Sequence, residues 1–359
     1  MDSSLSIPAS LLPGLSPTTA HVLSFLFTST YVGSIYLSQT RFFTSPSSTP
    51  GTRTPTSTTT TTTTADGEPC IPPISASDKD AFVVENRGGP PVGSRDHPAT
   101  IRRRMKAVVC ATGLSIWGVF YVVKNLSSPS KGGNGWESWT SAVLPTLKLL
   151  GLPTGLSALR GDGRVLPYLI APSLLIGPLA AMYLDGELPI VGGRNWGEGT
   201  RERVKRGWRE FGLVEVRNYL VGPFTEELVF RSTILAVSIL GKLSFKSLVF
   251  GTPMWFGIAH AHHALEVYRK NGSTKNAAVQ AILGCLFQLT YTTLFGWFAS
   301  YLFLRTGSVL PPLTAHIYCN IMGIYLPGSA IRRHPNKAAI IWGSYLAGIG
   351  VFVWGLRRL

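Results

Sequence analysis

Long apolar stretches separated by polar segments dominate the chain. A helix needs about 20 mostly apolar residues to cross the hydrocarbon core of a bilayer, and eight stretches approach that length. They are Ala20–Ser38, Ala107–Val123, Val165–Leu184, Asn218–Leu240, Leu248–Ala264, Ala277–Leu304, Ser308–Leu326 and Ala338–Leu356. The apolar segment Trp139–Leu152 is shorter and carries Lys148, which is typical of an interfacial or re-entrant helix. The pattern predicts an all-α, polytopic integral membrane protein with about eight transmembrane helices.

Two long polar segments divide these stretches. Arg41–Lys106 is rich in Ser, Thr and Pro and contains the run Thr58–Thr64, so we expect a flexible linker. Asp185–Arg217 mixes Arg and Lys with Trp and Phe, which favours an amphipathic helix on the membrane surface. The organisation predicted is an N-terminal span in residues 1–40, a flexible cytosolic loop in 41–106 and a helical core in 107–359.

Composition supports the membrane interpretation. Hydrophobic residues make up 45% of the chain and charged residues only 14%, whereas a soluble domain carries roughly 25% charged residues. The net charge is +15, but no basic stripe interleaved with aromatic residues lies on a soluble module, so we expect no nucleic-acid binding. The basic residues instead flank apolar stretches, where they set topology and contact anionic lipid.

The distribution of charge also predicts the orientation in the membrane. Both long basic segments are placed in the cytosol, and the loops Glu266–Asn276 and Pro327–Lys337 then lie there too. The opposite loops, Lys124–Arg164 and Gly241–Ser247, are expected to face the lumen.

Met1–Ser16 has no positively charged start, so we expect no cleavable signal peptide. The four cysteines form no CxxC pair, so neither a disulfide framework nor a metal finger is expected.

Ionisable side chains inside three of the apolar stretches are the candidate chemistry, because such residues are costly in a bilayer. In the fourth stretch Glu226 and Glu227 are adjacent, and Arg231 follows Glu227 by one helical turn. Arg231 is expected to hold Glu227 ionised, while Glu226 points about 100° away. Two carboxylates in different surroundings can take different protonation roles. A buried ion pair that only locks helices together is the structural alternative, and it leaves the second glutamate unexplained.

Two further stretches carry polar pairs at the same helical spacing. Phe256 and His260 are four residues apart, as are His316 and Asn320. His316 and Asn320 together suit an oxyanion hole, which needs hydrogen-bond donors in a dry site; interhelical hydrogen bonding is the alternative. At 1.5 Å per residue, Glu226, His260, His316 and Asn320 lie about 12, 6, 15 and 9 Å from the cytosolic ends of their spans. The depths predict one shared polar pocket open to the cytosol.

These residues resemble the type II CaaX prenyl proteases, within the wider family of CaaX proteases and bacteriocin-processing proteins. The three signatures are Glu226-Glu227-x-x-x-Arg231, Phe256-x-x-x-His260 and His316-x-x-x-Asn320, and the resemblance covers roughly residues 217–326. It implies that Glu226 and His260 activate a water molecule, that His316 and Asn320 stabilise the oxyanion, and that Glu227, Arg231 and Phe256 support them. It also implies no cofactor and no metal.

The implied reaction is removal of the C-terminal aaX tripeptide from prenylated CaaX proteins, such as Ras-like small GTPases. The implied location is the endoplasmic reticulum membrane, with the active site facing the cytosol.

Three alternatives stay open. His260, His262, His263, His316 and Glu226 could bind the metal of a protease, although no HExxH motif is present. The chain could also be a non-catalytic scaffold of the same fold, or a proton-coupled transporter. A thiol protease using Cys319 or Cys285 is less favoured, because no cation is placed to activate either thiol.

Overall fold

Helices form all the regular structure in the part of the chain that the structure describes. The computed structural model describes residues 14–39, 95–127, 135–154, 165–186, 211–260 and 262–359, with single positions 188, 205 and 209. No strand occurs within these ranges, so the predicted all-α class is confirmed. The Thr-rich segment and most of Asp185–Arg217 lie outside the described residues. The linker and the surface helix expected there stay predictions.

The helices are numbered here in chain order. They are α1 (Pro17–Leu37), α2 (Pro98–Leu126), α3 (Gly135–Leu149), α4 (Leu166–Leu174), α5 (Ile176–Asp185), α6 (residues 213–240), α7 (Pro253–Ala259), α8 (His262–Lys270), α9 (Lys275–Thr306), α10 (Leu310–Met322), α11 (Pro327–Arg333) and α12 (Ala338–Arg358). The short helix α3 coincides with the segment predicted to be interfacial or re-entrant.

Several helices are long and apolar enough to cross a bilayer. Among the described residues these are α1, α2, α9 and the stretch Pro335–Arg358, and α4 with α5 makes a fifth if the pair is one span bent by 55°. Pro178 explains the bend, because its ring lacks the N–H that would bond to the Leu174 carbonyl and clashes with that carbonyl. The chain is a multi-pass membrane protein.

Two predicted spans do not form continuous crossing helices. The π-helical segment Ser247–Gly251 leads into α7, which ends at Ala259, before the predicted end of Leu248–Ala264. α10 covers only 13 residues of the predicted Ser308–Leu326, a rise of about 20 Å against a hydrocarbon core of about 30 Å. Gly323 ends α10 with φ of 63°, a conformation that favours glycine. The prediction of full spans is wrong here, and both short helices carry predicted site residues.

The central helix α6 is interrupted by two π-helical segments. Val216–Val221 and Leu228–Thr233 are π-helical and bracket the α-helical stretch Gly222–Glu227. Pro223 cannot donate the usual bond four residues back, and the Gly222 N–H bonds instead to the Arg217 carbonyl, five residues back. A Cβ on residue 222 would lie 2.9 Å from that carbonyl oxygen, so glycine fits there. Such π segments often occur at functional sites.

The packing places α6 at the centre of the helices. Its residues 228–240 are all buried, and α1, α2, α7, α9 and α10 pack around the helix. A helix that is apolar on nearly all sides needs such surroundings.

Away from this core, Asp185 at the end of α5 accepts hydrogen bonds at 2.9 Å from Arg333 Nε and from His334, which ties α5 to the end of α11.

Candidate active site

The two glutamates of α6 lie in different surroundings. The Glu227 side chain is fully buried, whereas that of Glu226 is 23% exposed. Their adjacency on one helix directs them to different sides, as the spacing predicts. Glu226 lines a cavity of about 1110 Å³, and Glu227 lies behind it in the helix packing. Glu226 can therefore meet a substrate or a water molecule, and Glu227 can act on them only through other side chains.

His316 of α10 lies between the two carboxylates. Its Nδ1 is 2.7 Å from Glu227 Oε1, and its Nε2 is 3.7 Å from Glu226 Oε2. If Nδ1–H donates to Glu227, a neutral ring presents an unprotonated Nε2 toward Glu226 and the cavity. Only a doubly protonated ring could then donate from Nε2. The sequence predicts His316 as a hydrogen-bond donor, and the structure places its two ring nitrogens toward two different glutamates.

Arg231 is buried beside Glu227. Its Nη1 lies 3.1 Å from Glu227 Oε1, so the predicted pair is formed, but His316 is the nearer partner of the same oxygen. The guanidinium carbon lies 4.3 Å from the centre of the Phe256 ring and 5.4 Å from that of Phe295. Aromatic faces attract cations, and these two rings help to hold the Arg231 charge away from water.

His260 follows the last residue of α7 and lines the same cavity. Its Nδ1 lies 2.8 Å from the Phe256 carbonyl oxygen, which can only accept a hydrogen bond. The proton of neutral His260 is therefore on Nδ1, and the lone pair is on Nε2. The rings of Phe256 and His260 meet edge to face with centres 4.6 Å apart. Phe256 thus contacts both Arg231 and His260, although its own side chain is buried.

Asn320 lies one turn after His316 and is exposed in the cavity. Its amide nitrogen donates to the Asn218 carbonyl oxygen at 3.0 Å. His316 and Asn320 are one turn apart on α10, and in this structure their side chains bond to different partners. The amide keeps a second N–H for another acceptor.

The cavity also contains residues that no sequence motif indicates. Tyr31 of α1 donates to or accepts from Thr225 Oγ1 at 2.9 Å, next to Glu226 in the chain. Arg95, Arg104 and Arg217 line another part of the cavity, and Trp297 and Phe352 line an aromatic part. These residues belong to none of the three motifs, so the sequence alone does not place them at the site. Only the packing of the helices shows that they line the cavity.

Within the described residues, no three His, Cys, Asp or Glu side chains converge in the manner of metal ligands. The side chains of His262 and His263, which the metal-protease alternative uses, lie outside what the structure describes. That alternative is therefore a question for chelation experiments.

Comparison with known proteins identifies the family. Residues 209–322 match the family model described as "Type II CAAX prenyl endopeptidase Rce1-like". Human CAAX prenyl protease 2 is 30% identical over 276 residues, which are 74% of this chain and 73% of the human protein. The chain belongs to the type II CAAX prenyl endopeptidase family. It is therefore a peptidase, a hydrolase acting on peptide bonds.

Other family members match over shorter regions. The Schizosaccharomyces pombe protein named "Probable CAAX prenyl protease 2" is 36% identical over 143 residues, covering 39% of this chain and 51% of its own length. The Arabidopsis thaliana CAAX prenyl protease 2 is 38% identical over 138 residues, covering 38% of this chain and 41% of its own length. No solved structure matches the chain significantly. The residues that match the family model include all three motifs. Side chains from each motif line the cavity described above.

Proposed function

We propose that this peptidase removes the aaX tripeptide from prenylated CaaX proteins by direct attack of a water molecule activated by Glu226 and His260. The observation that supports this most strongly is the pair of unlike glutamates joined through His316. Glu226 is open to the cavity, where a general base must reach its water, and Glu227 is buried behind it. Such a division suits one carboxylate that moves a proton and one that positions its neighbour.

His260 complements Glu226 in this proposal. The Phe256 carbonyl holds the proton on Nδ1, so Nε2 can accept a hydrogen bond from the same water molecule. Glu226 takes one proton from that water, and the oxygen attacks the carbonyl carbon of the prenylated cysteine. The tetrahedral intermediate then expels the amine of the next residue, which receives the proton from Glu226. The products are a prenylcysteine carboxylate and a free tripeptide.

Asn320 and His316 are proposed to stabilise the oxyanion. Asn320 is fixed by its bond to the Asn218 carbonyl and offers its second N–H. His316 donates from Nε2 when its ring is doubly protonated, and Glu227 orients the ring through Nδ1. Preorganised donors of this kind contribute about 10²–10³-fold each to the rate in acyl-transfer enzymes. Arg231 and Phe256 position Glu227 and His260, and no cofactor or metal has a role in these steps.

The chemistry of the cavity and the family support the substrate and the location that we propose. An isoprenoid already in the bilayer suits the aromatic part of the cavity, and Ras-like small GTPases are the class of substrate that we propose. The loop charges support an active site facing the cytosol, and we place the protein in the endoplasmic reticulum membrane.

The test is incubation of membranes carrying the protein with a prenylated CaaX peptide, followed by mass spectrometry of the soluble products. We expect release of the intact tripeptide, and much slower release from the same peptide without its isoprenoid. A scaffold or transporter would release nothing, and stepwise release of single amino acids would contradict an endopeptidase.

A further inference from the structure

Three arginines line the same cavity as Glu226. Arg95 precedes α2, Arg104 lies within α2 and Arg217 lies in the first turns of α6. The cavity that contains Glu226 and His260 thus also has a cationic region. The water activation proposed for Glu226 and His260 does not use these arginines.

The three guanidinium groups differ in their partners. Arg217 Nη1 lies 2.9 Å from Asp96 Oδ1 and 3.1 Å from the Arg95 carbonyl oxygen. Arg104 Nη2 lies 3.4 Å from Glu266 Oε1. The Arg95 guanidinium forms no hydrogen bond or ion pair with any residue that the structure describes, although Glu266 and Asp96 are near enough to act on its charge. Among the described residues, these three arginines have two carboxylates as ion-pair partners, Glu266 and Asp96, which leaves Arg95 available for an anionic ligand.

The charge on Arg95 is retained at neutral pH. Partial removal from water lowers the pKa of its guanidinium, the positive charge of Arg217 lowers it further, and Glu266 and Asp96 oppose that effect. An arginine nevertheless stays protonated, because its ordinary pKa lies far above neutral pH. Arg95 can thus offer a charged, planar pair of donors, which matches the geometry of a carboxylate.

The separation of these arginines from Glu226 fits the length of the leaving tripeptide. Arg217 precedes Glu226 by nine residues on α6, a rise of about 13 Å at the α-helical 1.5 Å per residue and less where Val216–Val221 is π-helical. Three extended residues span about 10–11 Å, and an arginine side chain covers the remaining distance. Asn320 bonds to the carbonyl of Asn218, the residue after Arg217, so a proposed oxyanion donor lies on the side of Glu226 that faces Arg217.

We propose that Arg95, with Arg217 and Arg104 beside it, binds the α-carboxylate of the last residue of the substrate. This inference rests on the proposed function, since it takes the CaaX tail as the ligand. The enzyme would then measure three residues from the free C-terminus to the cleaved bond. Specificity for a terminal tripeptide would come from this charge pair, and an internal sequence of the same composition would lack the anion.

The experiment compares two prenylated CaaX peptides that differ only in their C-terminus, a free carboxylate or an amide. Wild-type protein, Arg95→Gln and Arg102→Gln are assayed with both peptides. Arg102 is a matched control, because it is an exposed arginine of α2 that does not line the cavity. Hydrogen bonds to charged groups contribute enough for roughly a 10- to 100-fold effect.

We expect wild-type kcat/KM to be roughly 10- to 100-fold higher for the carboxylate peptide. Arg95→Gln should lower that value by a similar factor while leaving cleavage of the amide peptide unchanged, and Arg102→Gln should change neither. Equal cleavage of the two peptides by wild-type protein would overturn the proposal. An equal loss with both peptides in Arg95→Gln would also overturn it, because the residue would then have only a structural role.

A binding measurement on the purified proteins separates this inference from the proposed function. If wild-type protein cleaves neither peptide, the proposed function fails, and the affinities still decide the carboxylate site. Tighter binding of the carboxylate peptide to wild-type protein, lost in Arg95→Gln, supports the site. Equal affinity for both peptides, or retention of the difference in Arg95→Gln, contradicts it.

Discussion

At the scale of single residues, His316 links two carboxylates that are neighbours in the chain. Glu227 Oε1 has His316 Nδ1 at 2.7 Å and Arg231 Nη1 at 3.1 Å, so one buried oxygen serves both a proposed catalytic ring and a buried cation. The removal of Glu227 should therefore have two separable effects. One acts on folding, through Arg231, and the other acts on the reaction, through His316.

Glu227→Gln is expected to lower both the amount of folded protein and the activity of the molecules that fold. Leaving a buried charge without its partner costs about 3–5 kcal/mol, so protein level should fall. Adding Arg231→Met removes the unpaired charge and should restore part of that level. The double variant should nevertheless stay poorly active, because His316 still lacks the carboxylate that orients it.

Immunoblots and activity per amount of folded protein measure the two effects. A double variant with both level and specific activity restored would contradict the role of Glu227 as the partner of His316. It would support the simpler view that Glu227 serves only as the counter-ion of Arg231.

The sequence predicted the site residues better than it predicted their partners. The spacing of Glu227 and Arg231 predicts their ion pair, because residues four apart on a helix are neighbours. The bond from Glu227 to His316 joins α6 to α10, 89 residues away in the chain, and no local spacing encodes it. For the same reason the bond from Asn320 to Asn218 was not predicted, and Tyr31 of α1 was not recognised as a residue of the cavity.

At the scale of helices, α7 and α10 are short and carry His260 and His316 into the middle of the helix packing. Hydrophobicity alone predicts full spans there, since it measures apolar length and does not detect a helix end inside an apolar stretch. The glycine at residue 323 and the break after Ala259 were visible in the sequence only as ordinary residues of apolar stretches. The end of α10 is exposed at Ile321 and Gly323, so the backbone conformation of Gly323, and not burial, accounts for this helix end.

Close packing of α9 against α7 is expected to support the site. A Cβ added at Gly296 of α9 would lie 2.7 Å from Pro253 Cβ and 3.5 Å from Arg231 Nη2. Gly296→Ala should therefore destabilise the protein by about 1–3 kcal/mol, as overpacking usually does, and lower its activity by displacing Arg231.

Gly284→Ala in the same helix is the matched control, because a Cβ there meets nothing within 4 Å. Thermal unfolding of the purified proteins in detergent should show a lower midpoint for Gly296→Ala. The control should be unchanged or slightly more stable, since alanine favours a helix over glycine. Equal midpoints for the two variants would contradict the close contact of α9 with α7.

At the scale of the whole molecule, charge and apolar pattern predicted the class of protein, and the bounds of each helix depended on packing. From the basic loops we expect α8 and its following turn to lie in the cytosol, together with Arg95 and Arg217. In this proposed orientation the cavity opens to the side from which cytosolic CaaX tails would arrive. This orientation is testable without any assay of activity.

Two exposed lysines test the orientation as a matched pair. In a background with the four native cysteines changed to Ser, Lys275→Cys should react with a membrane-impermeant maleimide added outside sealed microsomes. Lys246→Cys, in the loop predicted to be lumenal, should react only after detergent opens the membrane. The reverse pattern would invert the topology and with it the side from which substrate enters.

The most direct test of the account concerns the water-activating role of Glu226. Purified protein is mixed with a prenylated CaaX peptide under single-turnover conditions, with a strong chelator present, and tripeptide release is followed in time. We expect the wild-type rate to be independent of the chelator. Glu226→Gln should be slower by about 10²–10⁴-fold, the usual effect of losing a general base, while it folds and binds the peptide normally. A Glu226→Gln rate near that of wild type, or a wild-type rate abolished by the chelator and restored by zinc, would contradict the account.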